Sequence, residues 1–327
     1  MKRKDVCLSA AAAAIMIFAV ILSVRLGSAN LEWREFFGGL LKKEGFERIS
    51  FVLWSLRFPR TLAAVLAGAG LSISGLALQN ITGNDLAGPN IIGVNAGAGF
   101  FVMMGMYFLP EEIRILPLLA FLGAFCATVM ILLIGGTSRS GKSTLILAGV
   151  AVTALLNAGI SLISRLDTDL VSMYNDFAVG GLNGVELRKL TVPALVIFLS
   201  FIVLIYYSKD MDAMMLGEGV SKSLGVKVNL VRWSAILAGS AAAGMVVSFA
   251  GLLGFVGLIV PHMARRIFGV KTGRTLIYSS ILGAIVVLIA DTLGRSLFPG
   301  TEIPVGIVMA FIGVPFFVYL IVRRNAA

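Results

Sequence analysis

Long uncharged apolar runs alternate with short charged intervals along the whole chain. Runs free of Asp, Glu, Lys and Arg cover 6–24, 61–82, 90–109, 115–138, 143–164, 190–208, 233–264, 275–290 and 303–322. Most are close to the roughly 20 residues that carry a helix across a hydrocarbon core ~30 Å thick. Each predicts one membrane-spanning helix, except the run 233–264. Its 32 residues are too many for one crossing and too few for two. A break near Gly251, Gly254 and Gly257 would divide it and leave a short second piece before Arg265 and Arg266. Interrupted helices are tolerated where they face protein or a cavity rather than lipid. Both ends are basic, at Met1–Lys4 and at Arg323 with Arg324. If both lie in the cytoplasm the crossing number is even. The pattern predicts one all-α integral-membrane domain over 1–327, a polytopic bundle of about ten transmembrane helices. A cleaved signal peptide competes for the first run, given Lys2-Arg3-Lys4 and Gly27-Ser28-Ala29. The run is long for a signal, and further spans follow at once.

Three segments depart from this plain alternation. Arg57-Phe58-Pro59-Arg60 opens a helix on which Gly68, Gly70, Ser72, Ser74 and Gly75 crowd together. Small residues let helix backbones approach closely. Gln79 and Asn80 at its other end could hydrogen-bond across helices. Gly83-Asn84-Asp85-Leu86-Ala87-Gly88-Pro89 then breaks it, and a return helix begins at Gly93. Gly68, Ser72, Gly75, Gln79, Asn84, Pro89 and Gly93 are therefore candidates for packing or for lining a translocation path. In the external interval 25–60, Trp33, Phe36, Phe37, Leu40 and Leu41 form one apolar stripe at helical spacing. This predicts an amphipathic helix on the membrane surface. The interval 209–232 gathers Met211, Met214, Met215 and Leu216, breaks at Gly217 and Gly219, and continues with Val220, Leu224 and Val226. It predicts two short helices meeting at a glycine turn. Their apolar surface would suit a partner's groove, unless the loop folds back on the bundle.

Composition narrows the class. The chain is 58% hydrophobic and 13% charged, against about 25% charged in soluble domains. No polar interval exceeds the 36 residues of 25–60, so no soluble domain is expected. The runs do not alternate, which excludes a β-barrel. The net charge of +10 fits basic cytoplasmic loops rather than nucleic acid. Cys7 and Cys126 both fall in apolar runs, so neither a disulfide nor a metal role is expected. The topology places 15 Lys and Arg inside and 12 outside. Arg48, Arg57 and Arg60 oppose that bias, and a binding surface would give such arginines a purpose. Leu66-Ala67-Gly68 and Leu237-Ala238-Gly239 form a faint repeat five crossings apart, the arrangement of inverted transporter repeats.

Gly136-Thr137-Ser138-Arg139-Ser140-Gly141-Lys142-Ser143 fits the nucleotide-binding pattern G-x-x-x-x-G-K-[ST]. That pattern works between a strand and a helix of a soluble unit. Here membrane spans flank it, so a short cytoplasmic turn is expected and any ATPase must be a separate subunit. Asp291 and Arg295 are spaced as an i,i+4 pair at the outer end of a span, and Glu302 is placed to share Arg295. His262, the single histidine, has no second ligand nearby and is expected to pack at the helix break.

With Gly251-Leu252-Leu253-Gly254-Phe255-Val256-Gly257-Leu258-Ile259-Val260-Pro261-His262, the chain resembles the FecCD/BtuC-type permease family. These are the membrane subunits of ABC importers for iron-siderophores, haem and cobalamin. The resemblance covers nearly the full chain. It rests also on Arg57-Phe58-Pro59-Arg60, on Gln79 with 84–89 and Gly93-Val94, on Gly217-Glu218 with Ser223-Leu224-Gly225-Val226, on Asp291 with Arg295, and on Glu302-Ile303-Pro304-Val305-Gly306. Two positions depart from the family pattern: Asp85 replaces its usual Pro, and Leu252 stands where it tends to have Pro. The first predicts a looser turn after the second span.

The resemblance implies a type II ABC importer permease fold of ten spans with inverted repeats, paired with itself or a paralogue. It implies a binding protein docked outside on Arg57, Arg60 and Arg295. Inside, ATPase subunits would meet the coupling residues Met211, Met214, Met215, Leu216, Gly217, Glu218, Ser223, Leu224 and Gly225. The expected protein is a permease for a ferric siderophore in a bacterial cytoplasmic membrane, with both termini cytoplasmic, no cofactor and no catalysis of its own. Haem or cobalamin is the alternative cargo. An ion-coupled secondary transporter would need ionisable residues within spans, and Asp291 alone approaches that. A membrane-embedded enzyme would need a catalytic cluster that the sequence lacks.

Overall fold

A computed structural model describes residues 3–27, 31–135, 142–297 and 301–325, and every regular element among them is helical. The long helices are α1 Arg3–Arg25, α2 Phe58–Thr82, α3 Val94–Phe108, α4 Leu116–Gly135 and α5 Lys142–Leu166. They continue as α6 Thr191–Tyr206, α7 Val228–Ala250, α8 Val256–Phe268, α9 Thr272–Ser296 and α10 Val305–Asn325. Seven helical segments are long and apolar enough to cross a membrane alone; α3 and the apolar part of α10 are shorter. The 32-residue run is divided as its length requires. α7 ends at Ala250, the backbone turns at Gly251 (φ 67°) and Phe255 (φ 64°), and the short α8 follows.

α2 is the axis of the bundle. It packs along α7 and α9, and most of its residues from Thr61 to Thr82 are buried. Its small residues explain how. A Cβ at Gly75 would collide with the Gly257 carbonyl oxygen of α8, so only glycine admits that approach. Gly68 meets the backbone of Gly283 on α9 in the same way. α2 and α7 run in opposite directions and touch near Ser74 and Gly239.

Two findings differ from the sequence pattern. The helix containing α2 begins at Glu47, through a π-helical turn at Val52–Arg57, and so starts well ahead of Arg57, where the sequence pattern opens it. The surface helix is present as Trp33–Leu40, but its stripe is divided. Phe36 is buried against Val24 and Leu53, whereas Trp33, Phe37, Leu40 and Leu41 are exposed. A further helix, Leu170–Val179, fills the break between α7 and α8. The Phe177 carbonyl accepts the Leu252 N–H at 3.0 Å, and the Gly181 N–H donates to the Ala250 carbonyl at 2.9 Å.

Candidate functional site

Polar side chains collect at the two ends of the bundle. From Arg60 to Asn80, α2 rises about 30 Å at 1.5 Å per residue, close to one hydrocarbon core.

At the first end, Arg60 bridges two carboxylates. Its Nη2 lies 2.9 Å from Asp291 Oδ1, and its Nη1 lies 2.7 Å from Glu302 Oε2. Arg295 Nε meets Asp291 Oδ2 at 3.0 Å, so one buried carboxylate serves two guanidiniums. Glu302 pairs with Arg60 rather than with Arg295 as expected. Arg295 and Arg57 hold the end of α1 instead. Arg295 Nη2 donates to the Ser23 carbonyl at 3.1 Å and Nη1 to the Leu26 carbonyl at 3.3 Å. Arg57 Nη1 donates to the Val24 carbonyl at 3.1 Å and also to the Arg25 carbonyl. These are carbonyls that a helix C-terminus leaves without partners, at the negative end of its dipole. The three arginines, Glu302, Asn183 and Glu186 border a cavity of about 450 Å³. Arg57 and Arg295 are buried, and their donors turn into the protein.

Between the ends, Gln79 links α2 to α8, its Nε2 approaching the Gly257 and Leu258 carbonyls at 3.4 and 3.3 Å, while the Ser72 hydroxyl donates within α2 to the Gly68 carbonyl at 2.7 Å. Asn84 Oδ1 accepts the Leu86 N–H at 3.0 Å and folds the turn. Pro89 begins a short 3-10 turn, Pro89–Ile92, which closes at Gly93 (φ 70°) to start α3. At the departure, the Asp85 carboxylate pairs with Arg265 at 2.7 Å.

The second end carries the two short helices, Ser208–Met215 and Glu218–Ser223, joined at Gly217 with φ 108°, a value that favours glycine. The Ser221 hydroxyl oxygen lies 2.9 Å from the Ala213 carbonyl and 2.6 Å from the Gly217 carbonyl, tying the pair together. Met211 and Met214 are buried in the bundle core, which corrects their placement on a partner-facing surface. They hold the segment down. Met215, Leu216, Val220 and Leu224 are exposed, and Ser223 and Gly225 lie on the same outer turn. Glu218 pairs with Lys222 at 3.0 Å and Arg232 at 3.2 Å, and the Lys222 hydrogen bond holds its pKa below the ordinary value.

His262 packs against Phe316 with ring centroids 6.3 Å apart. Of the phosphate-loop pattern, Gly136–Gly141 lies outside the described residues, and Lys142 opens α5. Asp212, Thr272 and Arg265, which no sequence pattern singles out, are linked through Asn80 at this second end.

The chain matches the FecCD transport family over residues 15–323. It is 34% identical over 313 residues to the Fe(3+)-citrate import system permease protein YfmE of Bacillus subtilis, covering 94% of this chain and 92% of that one. It is 33% identical to the vitamin B12 import system permease protein BtuC of Vibrio cholerae, covering 84% and 83%. The fold superposes with a TM-score of 0.82 on an inward-facing structure described as of metal-chelate ABC transporter type. That match has 27% identity and covers 95% of this chain and 97% of that one.

Proposed function

The chain belongs to the FecCD transport family, and we propose that it is the permease subunit through which an ABC importer passes a ferric siderophore across a bacterial cytoplasmic membrane. An extracytoplasmic binding protein delivers the chelate to the end bearing Arg60, and a separate ATPase drives the other end. A second copy or a paralogue completes the path. The observation that carries this reading is the Ser208–Ser223 segment. It is fastened by Met211 and Met214, yet it leaves Met215, Leu216, Val220 and Leu224 uncovered. Apolar side chains uncovered beyond the apolar spans suit a soluble partner.

The outer arginines enter with unequal roles. Arg57 and Arg295 set the frame by capping α1. Arg60 is the cation whose partner can exchange, because the Glu302 side chain bound to it is 32% exposed. A binding-protein carboxylate would compete with Glu302 for Arg60. An iron chelate is favoured because a relative imports iron(III) citrate. The second reading is cobalamin or haem, and the vitamin B12 relative supports its cobalamin side.

Reconstitution in liposomes with its ATPase and binding protein tests this. Uptake of a radiolabelled ferric siderophore should require both partners and ATP. Uptake of cobalamin or haem instead selects the second reading. Uptake driven by an ion gradient without the ATPase would overturn both. Lys142→Ala should leave ATP-driven uptake unchanged.

A further inference from the structure

The end that carries the short helices also holds a single file of polar side chains that the proposed function does not use. Asp212, on the first short helix, accepts through Oδ1 the Thr272 backbone N–H at 2.9 Å and the Thr272 hydroxyl at 2.5 Å. The Thr272 hydroxyl oxygen accepts Asn80 Nδ2 at 2.7 Å. Asn80 Oδ1 accepts Arg265 Nη2 at 2.9 Å, and Arg265 Nη1 reaches Asp85 Oδ1 at 2.7 Å. Asn80 and Thr272 are 2% and 1% exposed, so water does not substitute within the file.

From Arg265 to Asp212 the donors all point one way. Arginine can only donate and an ionised carboxylate can only accept. Arg265 therefore fixes the Asn80 amide, and Asp212 fixes the Thr272 hydroxyl. The file joins the first short helix, the start of α9, the end of α2, the last turn of α8 and the turn after α2. The contacts of Met211 and Met214 are non-directional and allow sliding. Hydrogen bonds weaken steeply when bent, so this file moves as a unit or breaks. α8 is suited to be moved. It has 13 residues, is separated from α7 by the turn 251–255, and is gripped near its start by Gln79.

We propose that Asp212, Thr272, Asn80 and Arg265 are positioning residues that carry displacement of the Ser208–Ser223 segment to α8 and the break before it. Asp85 anchors the far end. The proposal rests on the reading of that segment as the ATPase contact. It adds that fastening the ATPase is not enough: without the file, hydrolysis proceeds and substrate does not pass.

The test uses the complete importer in liposomes and measures ATPase binding, binding-protein-stimulated hydrolysis, and uptake per ATP. Thr272→Val removes the hydroxyl and keeps the shape; Asn80→Leu cuts the file within α2, away from the ATPase contact, and serves if the first variant folds poorly. Both should bind the ATPase and hydrolyse ATP as the parent does, while uptake per ATP falls at least ~5-fold, the lower range of site-to-site coupling. Thr272→Ser should restore it. A parallel fall in hydrolysis and uptake, or uptake per ATP unchanged in both variants, overturns the relay alone. A parent importer that needs no ATPase overturns the functional reading, and the relay with it.

Discussion

Asp291 and Glu302 contact the same arginine under opposite conditions. Asp291 is 1% exposed and lies between Arg60 and Arg295. Removing one partner of a buried ion pair costs about 3–5 kcal/mol, because the remaining charge is stranded. Asp291→Ala leaves Arg295 without a carboxylate and Arg60 with Glu302 alone, and should lower the melting temperature in detergent markedly. The Glu302 side chain is 32% exposed, and such a pair contributes about 0–1 kcal/mol. Glu302→Gln should leave melting nearly unchanged and tighten binding-protein docking by releasing Arg60; weaker docking would place Glu302 itself in the interface. The i,i+4 spacing of Asp291 and Arg295 is visible in the sequence. The pairing with Arg60, 231 positions away, is not, since it depends on which helix ends abut. The same holds for Arg57. Its position against the charge bias is legible, but the carbonyls of α1 that account for it are not.

Helices were legible wherever one long uncharged run made one span, and the break before α8 was legible because 32 residues fit neither one crossing nor two. Two elements were not. Leu170–Val179 is short and interrupted by Asp176, so no apolar run marks it. The helical start at Glu47 is hidden because Arg48 and Arg57 break the apolar pattern, although the carbonyls at the end of α1 satisfy Arg57. The segment Ser208–Ser223 shows the limit most clearly. Four neighbouring apolar residues read as one surface, but a helix turns about 100° per residue and sends Met211 and Met214 inward. Leu216→Asp and Leu224→Asp should therefore reduce ATPase co-purification with little change in melting. Met211→Asp should destabilise the permease itself, since a charge would enter a fully buried site. Equal loss of co-purification and stability in all three would show that the whole segment is core.

The helices also fix which ends lie together. Arg57 bonds to carbonyls at the end of α1, and Glu302, just before α10, pairs with Arg60. The start of α1 and the end of α10 therefore lie at the opposite end, with the Ser208–Ser223 helices. This explains why the charge bias is so shallow. Of the 12 Lys and Arg on the assigned outer side, Arg57, Arg60 and Arg295 are engaged inside the bundle. Of the 15 on the assigned inner side, Arg232 and Arg265 are paired in the same manner. Setting these aside leaves 13 inside against 9 outside, a clearer positive-inside asymmetry. Orientation can be read directly after Cys7 and Cys126 are replaced by Ala. Glu186→Cys, on the rim of the arginine-lined cavity, should react with a membrane-impermeant maleimide in intact cells. Leu224→Cys, exposed just after the second short helix, should react only after the membrane is opened. The reverse pattern would invert the molecule and put the arginine rim on the cytoplasmic side, where no delivered chelate could reach it.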